Sequence, residues 1–226
     1  MEITFFGHHT LLLKINEISV LIDPFITGNP LTKDIINIDD FKVDYILLTH
    51  AHQDHTLDAE AIAKNNNATI VSNYEIAMHY QKKGISIHPM NHGGSWKFNF
   101  GTVKYVNAVH TSSFPDGSYG GQPGGFVIEG GSKNIYIAGD TALTMDMKLI
   151  PLSTTLDLAI LPIGDNFTMG VDDAIIASDF VACNKILGVH YDTFGYIEID
   201  HESATKKFLE KGKELVLLDI GQSITL

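Results

Sequence analysis

Arginine is absent, and all 15 basic residues of the chain are lysines. The planar five-donor fork that clamps phosphate or carboxylate is therefore excluded, so an anionic ligand must be met by lysine, histidine, backbone N–H groups or a metal ion. Cysteine is nearly absent. The single Cys183 rules out an internal disulfide and a thiolate metal cluster; it reads as a small core residue, and nitrogen and oxygen remain as the donors for any ion. No apolar run approaches the roughly 20 residues a membrane-spanning helix needs. The opening segment from Met1 to Phe6 has neither the basic head nor the cleavage site of a secretion signal. A cytoplasmic setting without a membrane partner is expected. Clustered positive charge is missing too, and a net charge of -12 opposes a phosphate backbone, so nucleic acid is not an expected partner.

What is present is ample core material. With 226 residues, 44% of them hydrophobic, and no charge block or Pro/Ser-rich linker, the chain reads as one domain over residues 1–226. Apolar alternation predicts strands at Ile3 to Phe6, Leu11 to Ile15, Ile18 to Ile22, Tyr45 to Thr49, Thr69 to Ser72 and Ile85 to His88. Surface helices are predicted at Ala59 to Asn66 and Glu75 to Lys83. Two hairpins follow, Lys97 to Phe100 with Thr102 to Val109, and Gly125 to Glu129 with Asn134 to Ala138. The last third predicts strands at Leu158 to Pro162, Ile186 to Val189, Leu215 to Leu218 and Ser223 to Leu226. Helices are expected at Val171 to Ala182 and at Ser203 to Lys211, the latter with Asp200 as N-cap and Gly212 past its end. Such intermingling favours stacked α and β layers in an α/β (α+β) fold.

The most specific feature follows the predicted buried strand Tyr45 to Thr49: His50-Ala51-His52-Gln53-Asp54-His55. Three imidazoles and a carboxylate so close together need a cation to hold their neutral and anionic forms. On extended chain His50 and His52 point the same way and can share one ion, while a turn after Gln53 would carry Asp54 and His55 to a second. Further candidates occupy the same kind of slot at strand ends: His110, Asp140 after Gly139, and His190.

These motifs resemble the metallo-β-lactamase superfamily, whose His-x-His-x-Asp-His signature stands here as His50 to His55, with Gly139-Asp140-Thr141 and His190 among its later ligand positions. Gly7-His8-His9-Thr10, Ile22-Asp23-Pro24-Phe25 and His190-Tyr191-Asp192-Thr193-Phe194 are similar to a subgroup of small metal-dependent hydrolases whose relatives include ascorbate-6-phosphate lactonase. The resemblance covers essentially the whole chain and implies a four-layer αββα sandwich with a dinuclear site at one edge. It implies that His50, His52 and His110 hold one metal, that Asp54, His55 and His190 hold the other, and that Asp140 bridges. Zinc is the first expectation, with manganese or iron also suited to such donors.

The expected chemistry is hydrolysis of a small ester, lactone or phosphoester by a metal-bridging hydroxide, with Asp54 orienting it. A mononuclear iron oxygenase on the same fold and a non-catalytic metal-stabilised binding protein are the alternatives. A homo-oligomer is compatible with the sequence, which identifies no interface. Since His8 and His9 should face opposite ways, His8 is expected to enter the site as a catalytic group. Asp58 is expected either to support a ligand imidazole or to cap a helix, and Asp23 has the same two roles open to it. Asn166, Thr168, Tyr191 and Thr193 are candidates for substrate or oxyanion contacts. His79, His88, His92 and His201 are assigned to structure or solvent, and Ser118 to Gly125 to a mobile loop beside the site.

Overall fold

The computed structural model describes residues 1–226. In chain order the elements are β1 (Glu2–Phe5), β2 (Leu11–Ile15), β3 (Ile18–Ile22), β4 (Tyr45–Leu47), α1 (Gln53–Thr56), α2 (Ala59–Asn66), β5 (Thr69–Asn73), α3 (Tyr74–Gln81), β6 (Ile87–Met90), β7 (Ser95–Phe98) and β8 (Gly101–Asn107). They continue with β9 (Gly124–Gly130), β10 (Lys133–Ile137), β11 (Leu158–Pro162), α4 (Val171–Phe180), β12 (Lys185–Val189), α5 (His201–Glu210), β13 (Glu214–Val216) and β14 (Ser223–Thr225).

Two seven-stranded sheets result, ordered β14-β1-β2-β3-β4-β5-β6 and β13-β12-β11-β10-β9-β8-β7. Each has an antiparallel half built from hairpins and a parallel half, β3 to β6 in one and β10 to β13 in the other. Parallel strands need crossovers, and the crossover helices lie over those halves. Alternation then sorts side chains into three interfaces. Leu11, Leu13, Val71, Ile135, Ile137, Leu187 and Val189 meet between the sheets. Ile46, Ile70, Ile62 and Ile76 join the first sheet to α2 and α3, while Tyr136, Leu161, Ile186, Ala174 and Phe208 join the second to α4 and α5. This is the αββα sandwich. No helix is long and apolar enough to cross a membrane.

Predicted and observed elements differ mainly where the chain leaves a sheet. The strand expected to run to Thr49 ends at Leu47, and the Thr49 N–H is taken by the Asp23 carboxylate instead. The strand expected to reach Val109 ends at Asn107, because Val109 pairs with the segment after Asp140 through Thr141 Oγ1 and the Ala142 N–H. Unforeseen are α1 and the 3-10 segments Ile38–Asp40, Met145–Leu152 and Gly195–Ile197. Asp200 caps α5 by accepting from the Ser203 N–H.

Candidate metal centre

All seven predicted ligand residues meet at one end of the seam between the sheets. His50 follows β4 and His52 ends the extended stretch, with the chain turning into α1 at Gln53, so Asp54 and His55 project from that single turn. The second sheet contributes His110 past β8, Asp140 past β10 and His190 past β12. These three strands point the same way, so their C-terminal ends deliver side chains to one edge, as open α/β sheets commonly do.

Backbone shape helps to place them. Asp140 follows Gly139, whose φ of +66° is left-handed and where a Cβ would lie 2.8 Å from Thr49 Cβ. His8, Asp23 and His190 adopt left-handed φ without being glycine, a strain typical of functional positions. At Gly164 a Cβ would come within 2.1 Å of the His190 carbonyl oxygen, so only glycine lets β11's continuation pass beneath it. The His190 N–H bonds to the His8 carbonyl at 2.7 Å, stitching the two sheets together at the site.

One oxygen organises the cluster. Asp140 Oδ2 lies 3.1 Å from His190 Nε2, 3.3 Å from His55 Nε2, 3.6 Å from His110 Nε2 and 3.8 Å from His50 Nε2. The hydrogen-bond network fixes the tautomers of two of these rings. Thr49 Oγ1 donates to Asp23 Oδ2 at 2.7 Å, so it accepts from His50 Nδ1–H at 3.0 Å. His55 Nδ1–H likewise donates to Asp23 Oδ2 at 2.9 Å. The His55 Nε2 lone pair therefore faces the Asp140 carboxylate, while that of His50 Nε2, 3.0 Å from His52 Nδ1, is turned to the neighbouring imidazole. Lone pair against carboxylate is repulsive, and His55 Nε2, Asp140 Oδ1 and His190 Nδ1 are all buried without a hydrogen-bond partner.

Such an arrangement asks for positive charge. Burial opposes a proton on His55, yet Asp140, Asp23 and Asp54 overcome it and push its pKa well above that of an ordinary imidazole. His50 goes the opposite way, held well below by burial and by His55. Asp140 stays ionised well below the usual carboxylate range: burial works against this, and the surrounding His190 and His55 outweigh it. A divalent ion meets the same electrostatic demand and uses the lone pairs as well. His50, His52 and His110 form one candidate donor group; His8, Asp54, His55 and His190 form a second; His50, His55 and Asp140 form a third between them, the donor atoms in each lying within 4.8 Å of one another. The residues present fit divalent ions bound by nitrogen and oxygen.

Asp23 supports the first sheet's donors. It accepts from the Thr49 N–H, Thr49 Oγ1 and His55 Nδ1, and its carboxyl is held far below the usual range, with burial opposed by His55. His9 Nδ1 approaches it at 3.1 Å without hydrogen-bond alignment. His8 and His9 do face opposite ways: His8 Nε2 sits 3.0 Å from Asp54 Oδ2, and His8 Nδ1 2.9 Å from Thr193 Oγ1. Asp54 accepts only, so His8 Nε2 carries the hydrogen and Thr193 donates to Nδ1. Burial first, and then His190, lower the His8 pKa to about 3, which keeps the ring neutral.

Other expectations require correction. Asp58 touches no ligand imidazole, and although it stands at the N-cap position of α2 its side chain makes no capping bond; its carboxylate accepts from the Ile26 and Thr27 N–H groups and from Thr27 Oγ1, fastening the loop after Asp23. Tyr191 is buried in the second-sheet core, and Thr193 reaches the site only through His8. Asn166 is exposed and Thr168 bonds locally, whereas Phe167 between them lines the site's entrance. The glycine-rich loop is pinned: Asn73 donates to the Gly120 and Gln122 carbonyls, Ser112 donates to Gly120, and the Gly124 N–H bonds to Thr49. His79 stacks on Phe114, His88 lies against Trp96 and Phe98, His92 meets the Pro123 carbonyl and His201 pairs with Asp192, all outside the cluster.

The sequence reading missed the entrance. An open cavity of about 710 Å³ leads to Asp54 between Phe25, Leu57, Phe167, Phe194 and Tyr196. The aromatic residues flanking Gly195 in Phe194-Gly195-Tyr196, four residues past His190, were the available signal.

Comparison with known proteins matches this geometry to a family. Residues 19–191 match the model of the β-lactamase superfamily domain, a span from β3 to just past His190. The chain belongs to this family. Among family members, a protein named UPF0173 metal-dependent hydrolase from Christiangramia forsetii is 76% identical over 100% of both chains. Another of the same name, from Flavobacterium johnsoniae, is 70% identical over 100% of both. The structure of Igni18, described as a metallo hydrolase from the archaeon Ignicoccus hospitalis, superimposes with a TM-score of 0.90 at 30% identity, covering 100% of this chain and 97% of that one.

Proposed function

We propose that the chain is a metal-dependent hydrolase that cleaves a small ester, lactone or phosphoester with two divalent ions, zinc first and manganese or iron as chemically suited alternatives. The observation behind this reading is Asp140 Oδ2 set among four imidazole nitrogens, one of them the unpartnered Nε2 of His55 with its lone pair turned toward it. His50, His52 and His110 would hold one ion, Asp54, His55 and His190 the other, and Asp140 would join them. The names of the relatives support the same class. Divalent ions bound there supply Lewis acidity and bring the ionisation of water down to about pH 7.

The chain's own residues do the rest. Asp54 Oδ2 is engaged by His8 Nε2–H, and no hydrogen bond within the protein reaches Asp54 Oδ1. That free oxygen orients the attacking water and takes its proton. His8, locked by Thr193 and neutral, sets the angle of the carboxylate and so acts as a positioning residue. Thr49 and Asp23 keep His50 and His55 in the tautomers that present Nε2.

Metal analysis of the purified protein tests this directly. About two ions per chain are expected, with turnover of an ester, lactone or phosphodiester panel that chelation abolishes and metal restores. Metal content unaffected by Asp140→Ala, together with inactivity of the metal-loaded protein across the panel, would sink the reading.

A further inference from the structure

The entrance limits what can reach Asp54. Its walls are Phe25, Leu57, Phe167, Phe194 and Tyr196; beyond the tyrosine hydroxyl, the only polar side chains at its lining are Gln53 and Asp54. Phe167 and Tyr196 meet edge to face at 6.2 Å while remaining 51% and 78% exposed, so they stand open to solvent on one rim. Phe25 and Phe194 lie deeper and pack against the His8 ring at 5.6 Å and 5.5 Å. An aromatic path thus runs from the surface to the reacting end.

No basic side chain accompanies it. None of the 15 lysines lines the cavity, arginine is absent from the chain, and the net charge is -12. A phosphate or carboxylate on the substrate's outer body would lie among aromatic walls with no basic side chain beside it, while the ions proposed at the inner end would be engaged by the reacting group. Burying an unpaired anion in this way is strongly unfavourable, whereas an aromatic ring or alkyl chain gains from leaving water.

On the hydrolase reading above, we propose that this entrance selects uncharged esters or lactones with an aromatic or alkyl body and rejects substrates whose body is anionic, phosphorylated ones included. The acyl C–O bond breaks as the water oxygen joins the carbonyl carbon. One water proton passes through Asp54 to the leaving alcohol, and the other stays with the acid.

The test compares 4-nitrophenyl 3-phenylpropanoate with 4-nitrophenyl 3-phosphonopropanoate on the zinc-loaded full chain. The leaving group is the same and only the body differs. The phenyl ester is expected to have a kcat/KM at least about tenfold higher, and Phe167→Lys to lower that ratio by about fivefold or more, mainly through KM. A second readout needs no turnover. In the same protein, 3-phenylpropan-1-ol should shift the Leu57 methyl resonances saturably, and more weakly in Phe167→Ala, while 3-hydroxypropylphosphonate should not. Preference for the phosphonate ester overturns the proposed selectivity and leaves the hydrolase reading standing. Inactivity on both esters with the Leu57 shift intact supports the selectivity and counts against hydrolysis. Absence of the Leu57 shift with the alcohol overturns the entrance assignment.

Discussion

On the first sheet, His50 and His55 are each held from behind by a hydrogen bond on Nδ1, through Thr49 and Asp23; on the second, His190 Nδ1 has no partner and His110 makes no hydrogen bond at all. Both sheets bring donors to the same seam, but one half is braced by a buried carboxylate and the other relies on backbone placement, with Gly139 and Gly164 admitting close approaches. The difference teaches that the site's two halves have different requirements. Bracing fixes the tautomers of the first half before any ion arrives, which lowers the ordering cost of binding. The second half gains its fixed geometry from the ion.

The strongest way to break this comparison is to remove the residue shared by both halves. Asp140→Ala is expected to lower activity by more than about 100-fold, beyond the effect of a supporting residue, and to lower metal content, read by kinetics and elemental analysis. Asp23→Asn attacks the braced half alone. Metal affinity should fall by about 10- to 100-fold, measured by competition with a chelator, while Asp140 and His190 remain in place. An unchanged affinity would mean that the brace does not serve the ions. Chelation of the wild type sharpens the contrast: amide exchange should rise several-fold more around residues 139–142 and 189–191 than around 49–55 (about the scale of local opening). Equal change in both halves would erase the distinction.

The smallest effect lies outside the seam, where the first sheet's helices carry exposed ion pairs. Glu60 accepts from Lys64 and Lys83 at 2.7 Å each, and these bonds lower its pKa from 4.5 to about 2. A depressed carboxylate stabilises the fold above its unfolded pKa, and that contribution fades as pH falls from 4.5 toward about 2. Solvent screening keeps it near ~0.5 kcal/mol, so Glu60→Gln should flatten the acid limb of the melting-temperature profile slightly.

The same asymmetry governed what could be read in advance. His50 to His55 are contiguous, and their spacing on extended chain followed by a turn conveys the chemistry locally. His110, Asp140 and His190 are single residues at strand ends, a slot they share with the first motif, and the family resemblance turned that coincidence into a ligand set. Strands buried on both faces, such as Leu158 to Pro162, were legible because their apolar runs are continuous. The supporting partners were not: whether Asp58 reaches an imidazole or the Thr27 hydroxyl depends on where a loop folds back, which no local pattern specifies. The entrance aromatics come from three separate segments, and loop aromatics reveal their common face only once the sheets have closed.

The bond between His8 and Thr193 closes a span of 185 residues, and the His190 N–H to His8 carbonyl bond beside it joins the two sheets at nearly the same separation. Contacts so distant along the chain bear the full loop-closure entropy and belong to the late part of folding. The first sheet is itself closed by a still more distant pairing, β1 with β14, so neither that sheet's edge nor the centre is complete without the C-terminal part of the chain. A chain shortened before His190 would keep His50 to His55 yet lose both the His8–Thr193 bond and the strand that borders β1.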